Sequence, residues 1–382
     1  MTLTANWSYP TAIRFGAGRI KELAAACVAA GITRPLLVTD RGLATLPITT
    51  ATLALMEEAG LGRALFADVD PNPNEKNLEA GIKAFVAGGH DGVIAFGGGS
   101  GLDLGKLIAF QARQTRPVWD FEDIGDWWAR ADASAIVPII GVPTTAGTGS
   151  EVGRAGVLTN SVTHEKKIIF HPKILPSVVI ADAELTVGMP KAITAGTGMD
   201  AFAHCLEAYS SPFFHPMSQG IALEGMRLVK EYLPRAYEDG KDLEARAQMM
   251  AAAMMGAVAF QKGLGAIHAI SHPVGALYNT HHGTTNAAVM VPVLRFNRHA
   301  IEEKIEAAAR YLRIEGGFGG FCAFVSNLNA TLGIPANLRA LGVTSPDMTA
   351  LLEGALKDPS AGGNPVTLTR ENLPPLLETC LG

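Results

Sequence analysis

The chain of 382 residues is short of charge, cysteine and aromatic side chains. Charged residues make up 18% of it, where about 25% is usual, and 48% is hydrophobic, so an intrinsically disordered chain is excluded. With a net charge of −5 it lacks the basic field that gathers nucleic acid or anionic lipid, and neither partner is expected. Its four cysteines, Cys27, Cys205, Cys322 and Cys380, form no CxxC pair. That argues against a disulfide framework or a zinc ribbon and suits a reducing compartment. No apolar run reaches the roughly 20 residues that span a bilayer; the most apolar stretch is residues 249–260. Residues 1–10 show no basic segment followed by an apolar one, so no signal peptide is expected and a cytoplasmic location is.

What the chain has in excess is glycine, 42 residues, without collagen-like periodicity. These glycines must serve local turns, and their positions matter more than their number. In the first half, short β-branched runs at 35–40, 92–96, 135–142 and 177–181 alternate with amphipathic segments at 21–30, 49–59 and 77–87. Strand and helix in alternation predict a parallel sheet covered on both faces. Beyond Met189-Pro190 strand-like runs fade, and long helical stretches such as 243–260 and 301–312 take over. Two domains are expected: residues 1–188 as an α/β domain of Rossmann-like, parallel-sheet type, and 189–382 as an all-helical domain.

Gly97-Gly98-Gly99-Ser100 follows a predicted strand and opens a predicted helix, with Asp103 and Lys106 further along it. Three glycines allow a tight turn and close approach to backbone amides, while the helix N-terminus offers free N–H groups to a phosphate. Neither better-known phosphate fingerprint fits. A Walker A loop fails at Ser100 and Leu107, and GxGxxG fails after Gly16-Ala17-Gly18 because Lys21 stands in the sixth place. Asp40 ends an apolar strand, where a carboxylate can accept hydrogen bonds from both adenosine ribose hydroxyls and repel a 2′-phosphate, favouring NAD over NADP. A second post-strand loop, residues 143–151, is dense in hydroxyls, with Thr144, Thr145 and Thr148 suited to line a cofactor or substrate crevice.

In the helical half, Asp200 and His204 stand four apart, as do His268 and His272, and His281-His282 follow in a loop. A spacing of four places two side chains on one helical face. Six of the ten histidines, counting His215, fall in or beside these segments. Carboxylate and imidazole donors without a thiolate suit Fe²⁺ or Zn²⁺, and an open coordination position would make the ion a Lewis acid. Cys205, beside His204 on a helix, points elsewhere and reads as packing.

Taken together, GGGSGLDLGK (97–106, with Phe96 before it), PTTAGTGSEV (143–152), DAFAH (200–204) and GAIHAISHPVGALYNTHHG (265–283) resemble the iron-containing, group III, alcohol dehydrogenases. The resemblance runs from Phe15 to Pro365. It implies an NAD-dependent enzyme that interconverts a small primary alcohol or diol and its aldehyde, working as a homodimer or larger homo-oligomer. It further implies Asp200, His204, His268 and His282 as metal ligands and His272 near the nicotinamide as the proton-transferring residue. Asp40, Gly97, Gly98, Gly99, Ser100, Asp103, Thr144, Thr145 and Thr148 match cofactor-binding positions. Lys166 or Lys167 matches a lysine near the cofactor, and His281 stands where relatives often have proline. One departure is Val366, which follows Asn364-Pro365 where the family usually has arginine. Glycerol dehydrogenase-like polyol oxidation and a dehydroquinate synthase-type NAD-assisted lyase share the layout; the second needs basic residues around the metal, which are scarce beside these motifs.

Overall fold

The computed structural model describes residues 9–163 and 165–382. Contacts divide them into two compact units, Tyr9–Thr145 with Gly149–Val187, and Gly188–Gly382 with Ala146–Thr148. The first is built on a sheet and the second on helices.

The sheet unit contains six parallel strands in the order β1-β8-β5-β4-β2-β3. They are β1 (Ala12–Phe15), β2 (Pro35–Val38), β3 (Leu65–Phe66), β4 (Gly92–Gly97), β5 (Ile139–Pro143) and β8 (Val178–Ala181). Every residue of β2, β4, β5 and β8 is buried, which requires cover on both faces. Successive residues serve opposite layers. Val93 and Ala95 of β4 join Phe85 of α3 (Glu75–Ala87) and Leu104, Leu107 and Phe110 of α4 (Gly99–Gln111). Ile94 and Phe96 join Leu23 and Cys27 of α1 (Leu23–Ala29) and Met56 of α2 (Pro47–Glu58). Each large apolar side chain so buried contributes about 1.5–3 kcal/mol. An antiparallel hairpin, β6 (Ala155–Thr159) with β7 (Lys166–Phe170), stands apart from this sheet. Neither β1 nor the hairpin is legible in the alternating pattern. β1 is a four-residue edge strand, and the hairpin's two strands mix exposed and buried positions.

The helical unit comprises α5 (Lys191–Ser210), α6 (Pro216–Glu238), α7 (Leu243–Ala259), α8 (Ala266–Tyr278), α9 (His282–Tyr311), α10 (Gly317–Thr331), α11 (Met348–Lys357) and α12 (Leu373–Leu381). α5 is buried at every residue from Gly198 to Ser210 and is packed by α6, α7 and α9. A helix buried all round is the centre of its unit, and its few polar residues are there for a reason. The helical segment read at 301–312 is the end of α9, a 30-residue helix that continues through Pro292. Among the described residues no single helix is long and apolar enough to cross a membrane.

Candidate metal centre and cofactor loop

Asp200 and His204 lie one turn apart on α5, both buried among helices. His268 and His272 are placed in the same way on α8. Asn279, in the left-handed conformation at φ 51°, ends α8 and turns the chain so that His282 opens α9. At Gly283 any Cβ would strike the Gly196 carbonyl, so only glycine lets α9 start this close to α5.

These turns bring four side chains together. The Nε2 atoms of His204, His268 and His282 lie 3.7, 3.6 and 3.5 Å from one oxygen, Oδ1 of Asp200. Metal–ligand bonds of about 2.1 Å in tetrahedral arrangement separate neighbouring ligand atoms by about 3.4 Å. One carboxylate oxygen ringed by three imidazole nitrogens at that spacing fits a divalent cation. Asp200, His204 and His268 alone already form a buried group whose ligand atoms lie within 4.8 Å of one another. Asn286 of α9 donates from Nδ2 to Asp200 Oδ1 at 2.8 Å, orienting the carboxylate. His204 stacks on His268 and His272 on His282, with ring planes inclined by 13° and 12°.

The charge pattern suits the same ion. Burial pushes the Asp200 carboxyl up, but the attraction of His204 and His282 and the hydrogen bond from His268 hold it far below the usual carboxylate range. Burial lowers His204 to about 4, so it presents a neutral imidazole. Burial also acts to lower His268, but Glu207 and Asp200 overcome it and raise the residue to about 9. Two buried carboxylates, Asp200 and Glu207, thus face this histidine cluster, a balance favourable to a cation.

Sequence reasoning did not find Glu207, Asn286 or Asp358. Glu207 Oε2 lies 2.6 Å from His268 Nδ1, and Asp358 Oδ2 lies 2.7 Å from His272 Nδ1. The spacing of four that marked the histidines has no counterpart for partners 61 and 86 residues away. His281 caps α9 by accepting at Nδ1 from Thr284 N, which explains it without a ligand role. Cys205 faces Gly225 of α6, as packing requires, and burial raises its thiol to about 12.

In the sheet unit, β4 ends at Gly97, whose φ of 147° favours glycine, and α4 begins behind Gly98 without a side-chain cap. Its first-turn N–H groups are therefore not satisfied by a capping side chain. Thr144 N donates to Gly97 O at 2.9 Å, and Thr145 packs against Gly98, so β5's loop braces the glycine turn. The Thr144 hydroxyl is buried without a hydrogen-bond partner. Asp40 accepts from Leu43 N at 2.9 Å through Oδ1. Ser100 donates to Pro71 O at 2.6 Å. Asp103 receives Ser150 Oγ and Val157 N and pairs with Lys106, so its carboxylate ties α4 to the β6 hairpin. Thr148 belongs to the helical unit. Lys167 pairs with Glu122 and Glu165, and Lys166 projects from the other face of β7.

A parallel-sheet unit with an uncapped glycine turn, joined to a helical unit with one carboxylate and three convergent imidazoles, defines a metal-dependent dehydrogenase. Residues 10–183 match the family model described as iron-containing alcohol dehydrogenase, and 194–381 match that of the Fe-containing alcohol dehydrogenase family, C-terminal. The chain belongs to the iron-containing alcohol dehydrogenase family. It is 39% identical to a 4-hydroxybutyrate dehydrogenase of Cupriavidus necator, over 94% of each chain. It is 32% identical to an NAD-dependent methanol dehydrogenase of Bacillus methanolicus, over 98% of this chain and 100% of that one. Among solved structures, a 1,3-propanediol oxidoreductase superposes with a TM-score of 0.93 at 35% identity, covering 99% of this chain and 100% of the other.

Proposed function

We propose that this chain is an NAD-dependent alcohol dehydrogenase that interconverts a small primary alcohol or diol and its aldehyde, with Fe²⁺ or Zn²⁺ held by Asp200, His204, His268 and His282. The observation that carries the reading is the convergence of three Nε2 atoms on Asp200 Oδ1. When bound, the cation lowers the proton affinity of the substrate hydroxyl, and the nicotinamide accepts the hydride.

The chain's own residues supply the rest. The N–H groups behind Gly97, Gly98 and Gly99 hold the pyrophosphate at the start of α4. Asp40 accepts from the ribose hydroxyls and repels a 2′-phosphate. Thr144 Oγ, buried without a partner, donates to the cofactor, and Thr145 and Thr148 are further cofactor-binding hydroxyls of the chain after β5. Ser100 and Asp103 act by fixing the loop, since both side chains are engaged by the protein. His272 is the catalytic residue that takes the substrate proton, with Asp358 holding its Nδ1.

A lyase acting on a phosphorylated polyhydroxy acid is disfavoured because four of the six basic residues between 199 and 283 are engaged within the protein. Arg227 pairs with Glu224 and Glu231, and Arg235 with Asp242 and Glu244. Arg246 binds Gly240 O and Thr194, and Lys262 donates to Ala208 O, Tyr209 O and Ser211 O. Four buried, unpaired cysteines support action as a cytoplasmic enzyme, and family membership supports a homo-oligomer. The test is a substrate panel on metal-loaded protein, comparing ethanol, 1,3-propanediol, glycerol and 4-hydroxybutyrate by NADH formation. Turnover of one or more short primary alcohols or diols is expected; activity confined to glycerol would favour the polyol reading.

A further inference from the structure

Helix α8, which carries His268 and His272, starts behind Gly265 and has no capping side chain of its own. Its first N–H groups are met from a distance. Ala266 N donates to Asn364 Oδ1 at 3.0 Å, and Ile267 N donates to Glu207 Oε1 at 2.6 Å. A Cβ at Gly265 would stand 2.9 Å from Asn364 Oδ1 and 3.0 Å from Glu207 Oε1, so glycine is what admits both caps. Asn364 is held in turn by reciprocal hydrogen bonds with Asn297, at 2.8 and 2.9 Å, and by donating to Val366 O at 2.7 Å. The Asn364-Pro365 segment, which the sequence singles out without a role, is thereby accounted for as a helix cap.

Glu207 does more than cap. With Oε1 taken by Ile267 N–H, its other oxygen faces His268 Nδ1 at 2.6 Å. An ionised carboxylate only accepts, so Nδ1 is the nitrogen that donates. Nε2, 3.6 Å from Asp200 Oδ1, is then the nitrogen that yields its proton when a cation binds. Glu207, His268 and Asp200 are all buried, so no water competes for these atoms. We propose that Glu207 is the positioning residue of the metal centre, fixing the His268 tautomer that leaves Nε2 free for the ion. The inference rests on the metal reading given above.

Glutamine at this position cannot serve both neighbours. With its oxygen on Ile267 N–H, its amide NH₂ meets Nδ1 and drives the proton to Nε2, where the ion must bind. With the amide reversed, NH₂ opposes the Ile267 N–H. Orienting partners of this kind are worth about 10- to 100-fold in metal affinity.

The experiment measures Zn²⁺ affinity by competition with a chromogenic chelator on stripped, folded wild type, Glu207→Gln and Asn364→Ala. Glu207→Gln is expected to bind roughly 10- to 100-fold more weakly. Asn364→Ala removes a cap but leaves the carboxylate on Nδ1, so it is expected to lower Tm yet stay within about threefold of wild type. If Glu207→Gln binds as tightly as wild type, or Asn364→Ala loses as much affinity as Glu207→Gln, the positioning role is overturned. If wild type binds no zinc, the metal reading itself fails. Should Glu207→Gln not fold, nitrogen-15-labelled histidine in zinc-loaded wild type decides. A proton on His268 Nδ1 supports the proposal, and a bare Nδ1 overturns it.

Discussion

Asp358 places Oδ2 2.7 Å from Nδ1 of His272, while its Oδ1 accepts from Ser360 N at 2.8 Å. Burial raises the Asp358 carboxyl, but the charge and hydrogen bond of His272 and the bond from Ser360 more than offset this and keep it below its ordinary value. An anion with one oxygen anchored can only accept from Nδ1, so Nε2 is left to exchange a proton. Asp358→Asn presents an amide instead and reverses the tautomer. Loss of a positioned acid–base group costs about 10²- to 10⁴-fold. The expected outcome is a fall in kcat within that range with NAD affinity unchanged. A variant with wild-type kcat across the working pH range would remove His272 from proton transfer.

Metal binding is expected to stabilise the helical unit, because its ligands join three helices. At a free ion concentration of 100 Kd the gain is about 2.7 kcal/mol. Chelation of the metal-loaded protein should therefore lower Tm by several degrees, and readdition should restore it. His204→Ala should show a low Tm that the ion does not shift. An ion-induced shift in that variant as large as in wild type would place the binding elsewhere.

Cofactor choice is expected to turn on Asp40. The cation next to it, Arg41, is already engaged by Asp68 and Asp70, so it does not offset the Asp40 charge. Asp40→Gly should raise kcat/KM for NADP by roughly tenfold or more, the effect of relieving about 1.4 kcal/mol of repulsion. A ratio of NADP to NAD efficiency equal to that of wild type would refute the assignment.

Glu151 gives a pH dependence that is independent of the metal. Burial raises its carboxyl to about 7, against the opposing effects of its own backbone hydrogen bond and of Lys106. An acid whose folded pKa lies above its unfolded value is harmless below the unfolded value, near 4.5, and increasingly costly as pH rises to the folded one. Wild type and Glu151→Gln should thus differ little near pH 4.5. Between there and pH 7 the variant should gain, by roughly 2 kcal/mol relative to wild type. Denaturant melts at the two ends of that window check this. A stability difference that does not change with pH would show that Glu151 does not titrate there.

The sequence made legible what depends on short spacing. Gly97, Gly98 and Gly99 marked the turn from a buried strand into a helix, and the spacings Asp200–His204 and His268–His272 marked two faces that do meet. Elements that depend on distant partners left no comparable trace. Glu207, Asp358 and Asn364 reach α8 from 61, 86 and 98 residues away, and each is an ordinary polar residue in its own segment. Periodicity showed only 301–312 of α9, whose earlier part contains Pro292 and is packed against α5 and α10. Tertiary packing there outweighs a local cost of about 3 kcal/mol.

Metal-dependent alcohol oxidation is tested by NADH formation with a short primary alcohol on protein stripped of metal and then reconstituted with Fe²⁺ or Zn²⁺, alongside His268→Ala treated identically. No turnover is expected without the ion, with recovery on reconstitution and no recovery in the variant. Full turnover by the stripped wild type, or by reconstituted His268→Ala, would contradict it.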